Sequence, residues 1–349
     1  MKIAIIAPSL SGRGGEETVI KKVMDSHILK EQGLDIHLII LGKCEHREWL
    51  NSFNNRSYIT NTENEINNFM NLLQDIKKKR YGEIICLSRK SILYGYLIRS
   101  FSRIPFKIIS WIHFNLDFVN TSFLKLADCH LAISRSILEQ FVNKKISESK
   151  NIYLINNPVN LSSDVVMRPH TNSFIYIGRI QFNGQKNFRE LIDNLAYLEF
   201  NNWSLDVIGD GVDVGKCRKY IQKNYPIIMN NIKWHGWHDN PWEVIKSADA
   251  LILTSKYEGL PMVLCEAISR GLPCLSSLQS GTKGLIASGV NGENYQLGDK
   301  KQFAEKLKKI LQTKYDSSTM KNSIEQMYTQ NYMKNLGWTL REINLKYKV

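Results

Sequence analysis

Met1-Lys2-Ile3-Ala4-Ile5-Ile6-Ala7 opens the chain, and Ser9-Leu10-Ser11-Gly12-Arg13-Gly14-Gly15-Glu16-Glu17-Thr18 follows almost at once. A short isoleucine-rich run that empties into a glycine loop, with helix-forming residues beyond, reads as a buried strand, a turn and a helix start. The run is too short for the core of a signal peptide. Glycines at Gly14 and Gly15 let a backbone approach a ligand closely, and the helix start behind them favours an anion. The same glycines also suit a tight turn with no ligand. The spacing is not G-x-G-x-x-G, Asp35 stands at the start of the second strand and not at its end, and no Gly-Lys-Ser/Thr follows. Neither a dinucleotide nor a Walker fingerprint is present.

The same alternation continues outward from this stretch. Strands are predicted at 2–7, 35–41, 83–87, 107–112, 130–133 and 152–155, then at 173–177, 204–208, 232–234, 250–253 and 273–276. Helix-length amphipathic segments lie between them, among them 18–32, 64–79, 135–144, 187–198, 241–247 and 262–270. Strand–helix alternation with continuous apolar strands predicts an α/β protein with parallel sheets covered on both faces. Two such series occur, parted near Asn157-Pro158-Val159-Asn160, and 349 residues at roughly 150 per domain also give two domains. The expected boundaries are 1–160 and 161–330, with a natural ligand cleft between the two domains. The stretch after about Asn331 is amphipathic through Tyr332, Leu336, Trp338, Leu340, Ile343 and Leu345.

A composition of 43% hydrophobic and 23% charged residues excludes a disordered or collagen-like chain. Six cysteines lie scattered without a C-x-x-C pair, which argues against a zinc site or disulfide framework and for a reducing compartment. No run approaches the roughly 18 apolar residues of a membrane span, so a cytoplasmic location is expected. The net charge is +13, and residues 77–107 hold nine basic side chains (Lys77, Lys78, Lys79, Arg80, Arg89, Lys90, Arg99, Arg103, Lys107) against Glu83 alone. That stretch is either a solvated face or a surface for anionic membrane, phosphorylated glycan or nucleic acid. Nucleic acid is disfavoured because no interleaved aromatic–basic motif accompanies the charge.

Open α/β sheets bind ligands at the carboxyl ends of their strands, so the loops there hold the candidates. The strongest is Glu258-Gly259-Leu260-Pro261-Met262-Val263-Leu264-Cys265-Glu266-Ala267, two carboxylates eight apart around a helix start, with Pro261 in or near the first turn. Carboxylates accept from the vicinal hydroxyls of a ribose or hexose, while helix amides meet phosphate or sugar. Gly178-Arg179 ends another strand, and Gly184-Gln185-Lys186 follows, so Arg179 and Lys186 give two cations suited to a leaving diphosphate. Gly209-Asp210-Gly211 and Trp234-His235-Gly236-Trp237 follow two further strands, where backbone groups and a ring suit a nucleotide base and core packing explains the tryptophans equally well. His113, after Ser110-Trp111-Ile112, faces the expected cleft from the first half.

Together these residues resemble the retaining family-4 glycosyltransferases of the GT-B fold, and most closely the bacterial lipopolysaccharide core 1,6-galactosyltransferases. The likeness rests on E-x7-E at Glu258 and Glu266, on Arg179 with Lys186, and on the loop at Gly14-Gly15. It also rests on Ser110 to Phe114, Ala132-Ile133-Ser134, Asn157-Pro158-Val159, Ile208 to Gly211, and Gly236-Trp237 with Pro241-Trp242. It is dense over 108–292 and thinner before. The resemblance implies two Rossmann-like domains with parallel sheets facing across a cleft and a last helix, about 331–349, crossing back to the first. It implies that Glu266 holds the ribose, Glu258 the donor sugar, and Arg179 and Lys186 the diphosphate in place of a metal. Gly14 and Gly15 would approach the phosphates and His113 the donor sugar, and of Glu16 and Glu17 the alignment of the loop favours Glu17 as the family's acid on the donor side. Gly178, Gly209, Gly211, His235, Gly236, Trp237, Leu260, Pro261 and Met262 would line the nucleotide. The implied donor is UDP-galactose or a related UDP-hexose. The implied acceptor is lipopolysaccharide core at the cytoplasmic face of the inner membrane, with the basic stretch as peripheral contact and no metal or other cofactor. UDP-glucose or UDP-GlcNAc as donor, or a sugar-nucleotide 2-epimerase, are the alternatives on the same fold. One departure stands out: relatives carrying Gly-x-x-Glu after the E-x7-E helix have an acid where this chain reads Ser280-Gly281-Thr282-Lys283-Gly284.

Overall fold

Ile3, Ala4, Ile5 and Ile6 are completely buried, as a strand covered on both faces requires. In the computed structural model, which describes every residue except Arg13, 61–63, Asn201 and 347–349, this strand is β1 (Lys2–Ala7). Arg13 of the glycine loop and the end of the C-terminal range thus lie outside the described residues. The first sheet adds β2 (Asp35–Ile40), β3 (Ser57–Ile59), β4 (Glu83–Cys86), β5 (Lys107–Ile112), β6 (Cys129–Ala132) and β7 (Ile152–Leu154). Its order is β3-β2-β1-β4-β5-β6-β7, parallel throughout. The second contains β8 (Ser173–Ile177), β9 (Ser204–Ile208), β10 (Ile232–Gly236), β11 (Ala250–Leu253), β12 (Cys274–Ser277) and β13 (Gly292–Tyr295), in the parallel order β10-β9-β8-β11-β12-β13.

The helices are α1 (Gly15–Asp25), α2 (His27–Glu31), α3 (Glu65–Lys79), α4 (Arg89–Ser102) and α5 (Arg135–Asn143) around the first sheet, then α6 (Phe188–Ala196), α7 (Val214–Asn224), α8 (Met262–Ile268), α9 (Lys300–Gln312) and α10 (Ser317–Asn322) around the second. The last helix, α11 (Thr329–Lys346), packs on α2 of the first unit, where Gly337 leaves room for the Gln32 side chain. The chain divides into Met1–Pro158 with Thr329–Val349, and Val159–Tyr328. These are two doubly wound α/β units, the second built around Phe174, Tyr176, Phe188, Leu191 and Phe303. Among the described residues no helix is long and apolar enough to cross a membrane.

Strand order reverses between β1 and β4 in one sheet and between β8 and β11 in the other. Loops part there and leave a crevice at the carboxyl ends. The glycine loop follows β1, the Arg179–Lys186 loop follows β8, and Glu258 follows β11. All three chemical stretches thus flank a switch point.

Several expectations are corrected. The helix expected at 18–32 begins at Gly15 and breaks at Ser26, whose extended backbone and side-chain oxygen cap α2 by accepting from Leu29 N. The helix expected at 241–247 is a single 3-10 turn, Pro241–Glu243, because Ala248 N bonds Met167 O and draws the chain into an extended bridge. The nine cations of 77–107 do not share one face. Lys77–Arg80 and Arg103 lie at the ends of α3 and α4, by the amino edge of the sheet, whereas Arg89 and Lys90 begin α4 at the carboxyl edge. Lys79, Lys90 and Arg99 are paired with Asp75, Glu65 and Asp128.

Candidate active site

The base of the site in the second unit is made by glycines at the ends of three neighbouring strands. Gly178, Gly209 and Gly236 have φ of +151°, +145° and +75°, which L side chains rarely adopt. Gly178 N donates to Ile208 O, and Gly209 N donates to Gly236 O at 2.7 Å. A Cβ on Gly209 would overlap the Gly178 carbonyl, and one on Gly211 the Ile180 carbonyl. The loops after β8 and β9 therefore lie backbone to backbone, and only glycine permits it. Tyr176 Oη donates to Arg179 O at 2.8 Å, which fixes the turn and leaves the Arg179 side chain exposed, with no partner among the described residues.

Glu258 is 8% exposed and carries most of the local wiring. Lys186 Nζ lies 2.7 Å from its Oε1, Ser255 Oγ donates to the same oxygen at 2.8 Å, and Gln185 Nε2 donates to Oε2 at 3.1 Å. Its backbone N–H donates to Gln279 Oε1, which also accepts from Gly281 N. A Cβ on Gly281 would sit 2.7 Å from Glu258 O. The segment that lacks the family's acid thus supports the Glu258 backbone directly. Leu260 and Pro261 are buried, Pro261 is the N-cap of α8 with no side-chain bond, and Met262 is the first helical residue, as expected. Glu266 projects from α8, where Trp242 Nε1 donates to its Oε2 at 2.9 Å.

His235 departs from expectation. It lies inside β10, at a register shift, and its Nε2 is 2.6 Å from Asp206 Oδ1 on β9. The strand continues through it because that partner holds it down. Trp234 packs against Phe188 in the core, whereas Trp237 is 55% exposed. Core packing thus accounts for Trp234 and not for Trp237. A cleft of about 530 Å³ lies on the α6 side, lined by Asn183, Asn187, Lys256 and Gly298 among others, and contains neither Lys186, Glu258 nor Glu266.

In the first unit, Glu17 turns inward. It is 7% exposed, and its Oε1 accepts from Ser11 N, Ser11 Oγ and Gly12 N at 2.8, 2.8 and 3.0 Å. Its carboxylate thus shapes the glycine loop. A Cβ on Gly14 would overlap the Glu17 carboxylate, whereas one on Gly15 would meet nothing within 4 Å. Burial and the neighbouring Glu17 push the Glu16 carboxyl up to about 7. His113, just past β5, packs on Trp111 with ring centroids 4.7 Å apart, and its Nε2 has no partner among the described residues. Burial lowers its pKa to about 3, so it faces its site as a neutral ring.

Gln185, Ser255, Gln279 and Trp242 have no role assigned from the sequence. Each is a neighbour of a flagged motif, and position alone gives no sign of its bond.

The family described as Glycosyl transferases group 1 matches residues 164–328. A solved structure of the lipopolysaccharide outer core galactosyltransferase WaaB in its apo form aligns with a TM-score of 0.89, at 32% identity, over 98% of this chain and 99% of that one. The Anabaena protein HepE in complex with UDP shares the fold, with a TM-score of 0.81 at 16% identity over 98% of this chain and all of that one. The chain belongs to the group 1 glycosyltransferases and has the GT-B fold. Within that family it is similar to the lipopolysaccharide 1,6-galactosyltransferase of Salmonella typhimurium, at 35% identity over 97% of this chain and 98% of that one. It is also 35% identical to the protein of the same description from Escherichia coli K12, over 95% of this chain and 96% of that one.

Proposed function

We propose that this glycosyltransferase moves galactose from UDP-galactose onto a lipopolysaccharide core oligosaccharide in a 1,6 linkage, with retention at the anomeric carbon and without a metal. Identity to the 1,6-galactosyltransferases along nearly the whole chain supports the donor and acceptor. The observation that carries the chemistry is the Lys186–Glu258 pair at a switch point of the second sheet, with Arg179 in the same loop as Lys186.

In this reading the donor diphosphate meets Arg179 and Lys186, and the donor sugar's hydroxyls use the lone pairs Glu258 retains. As the bond to the leaving UDP stretches, charge grows on the phosphate and the cations stabilise it in place. The acceptor hydroxyl attacks from the face UDP leaves. Neutral His113 offers its ring nitrogen to the sugar without adding charge near the developing oxocarbenium. Lys77, Lys78, Arg80 and Arg103, none with an ion pair among the described residues, would draw the first unit to the anionic cytoplasmic face of the inner membrane.

The test is nucleotide release from a panel of UDP-, GDP- and ADP-sugars, each with and without core-truncated lipopolysaccharide. UDP release from UDP-galactose that rises steeply with acceptor is expected, and is expected to persist in EDTA. Release from another sugar nucleotide alone would overturn the donor assignment. Activity lost in EDTA and restored by manganese would overturn the metal-free assignment.

A further inference from the structure

Glu266 has one oxygen tied and one open. Trp242 Nε1 donates to Oε2 at 2.9 Å, and Oε1 has no partner among the described residues. The indole is itself held on two sides. Its backbone N–H bonds Asn240 Oδ1 within the single turn Pro241–Glu243, and Asn240 Nδ2 closes that turn on Glu243 Oε1 at 2.8 Å. The Arg270 guanidinium lies over its ring, 4.5 Å from the centroid. Arg270 also donates to Glu266 O at 3.1 Å, and Val166 N donates to Arg270 O at 2.9 Å. Trp242, Arg270 and Glu266 thus close a ring of contacts, and the acid's position is set from both its backbone and its carboxylate ends.

This wiring exceeds what stability asks of a half-buried carboxylate on a seven-residue helix. A glutamate has three side-chain torsions and gives up their freedom when it binds. A vicinal diol, with hydroxyls on adjacent carbons, is gripped by both oxygens of one carboxylate only if the carboxylate plane is correctly turned. Fixing that plane beforehand removes the ordering cost from binding. We infer that Trp242, clamped by Arg270, is a positioning residue: it sets the carboxylate plane of Glu266 for the 2′- and 3′-hydroxyls of the donor ribose, so that the enzyme selects ribonucleotides over deoxyribonucleotides. The inference rests on the reading of Glu266 as the ribose acceptor.

The test compares UDP with 2′-deoxy-UDP and 3′-deoxy-UDP by calorimetry, on the wild-type chain, Trp242→Phe, Arg270→Met, Glu266→Gln and the Trp242→Phe/Glu266→Gln double variant. Wild type should prefer UDP by about tenfold or more, the scale of one well-made hydrogen bond to a charged group. Trp242→Phe keeps the ring under Arg270 but removes the N–H, and should bring the preference to about threefold or less. It should also raise the donor KM more than it lowers kcat. Arg270→Met should move the ratio the same way by less, and its result stands if Trp242→Phe does not fold. The double variant should be no worse than Glu266→Gln, since coupled residues are not additive. If Trp242→Phe and Arg270→Met both keep the preference while Glu266→Gln loses it, positioning is overturned and ribose binding stands. If Glu266→Gln keeps the preference as well, the ribose reading itself has failed.

Discussion

Each unit buries a glutamate beside its central strands, and the two are neutralised in opposite ways. Glu83, in β4 between Ile3 and Lys107, is fully buried, and neither carboxylate oxygen has a partner among the described residues. Burial pushes its carboxyl up to about 8, with the chain's amino terminus and Lys107 offsetting only part of the shift. Glu258 is nearly as deep, yet Lys186, Ser255 and Gln185 all reach its carboxylate. Taking a carboxylate out of water is costly unless it is protonated or paired. The first unit uses the proton and the second uses a partner. The pair sits at a switch point, where the proposed donor site lies, whereas the protonated acid stands at the amino end of β4 and is a pH-dependent part of the fold.

The largest effect should come from breaking the pair. Lys186→Met removes a cation from the proposed diphosphate site and leaves Glu258 buried without its counter-charge. Turnover should fall on the order of 10²-fold or more, as when one oxyanion donor is lost. Stability should fall by about 3–5 kcal/mol, the range for breaking one side of a buried pair. Arg179→Ala, at an exposed position, should lower turnover while leaving the unfolding midpoint unchanged. Steady-state kinetics beside urea unfolding of both variants gives the answer. A Lys186→Met enzyme with full turnover would remove that lysine from the mechanism.

Glu83 sharpens the comparison from the other side. Unfolded, its carboxyl releases a proton near 4.5; folded, near 8. Below 4.5 both states are protonated and ionisation adds no cost. Between 4.5 and 8 only the unfolded state ionises, so stability falls as pH rises, by roughly 1.4 kcal/mol per pH unit, and levels off above 8. Glu83→Gln should delete that slope. The check is the difference between wild-type and variant urea midpoints at half-unit steps from pH 5 to 9, because subtraction cancels the titration of His113 and His130. A constant difference across that range would show that Glu83 has a partner after all.

What the sequence discloses follows from the same physics. Parallel strands buried on both faces read as apolar runs, so β1, β5, β8 and β11 stand out with their ends correct, as does β9 despite Asp206 in its middle. The two missed strands are at the sheet edges. β3 is three residues and partly exposed, and β13 reads Gly-Glu-Asn-Tyr, no apolar run at all. Its Glu293 is buried with Lys306 and Lys309 of the following helix meeting its charge and Ser288 and Gly289 donating to it. The site divides similarly. Glu258, Glu266, Arg179 and Lys186 are legible because spacing and strand ends place them. Gln185, Gln279 and Trp242 act through contacts that join segments distant along the chain, and spacing carries no trace of those, while Ser255 reaches Glu258 across a single local turn. Glu17 shows the converse: its position in the motif is legible, but its inward turn onto Ser11 and Gly12 is not.

The smallest expected effect separates two adjacent glycines in that loop. Alanine at Gly14 would strike the Glu17 carboxylate and push it off three hydrogen bonds, whereas alanine at Gly15 meets no atom within 4 Å. Gly14→Ala should therefore cost about 1–2 kcal/mol, the scale of a lost cap or a disturbed charged hydrogen bond. Gly15→Ala, at the first residue of α1, should be neutral or stabilising by up to about 0.5 kcal/mol, because alanine restricts the unfolded chain more than glycine does. If Gly15 is there so that backbone can approach the donor phosphates, Gly15→Ala should raise the donor KM several-fold in a protein at least as stable as wild type. An unchanged KM would make Gly15 a turn residue only. The first unit would then retain His113 as its one proposed contact with the donor sugar, and the phosphates would be held from the second unit alone.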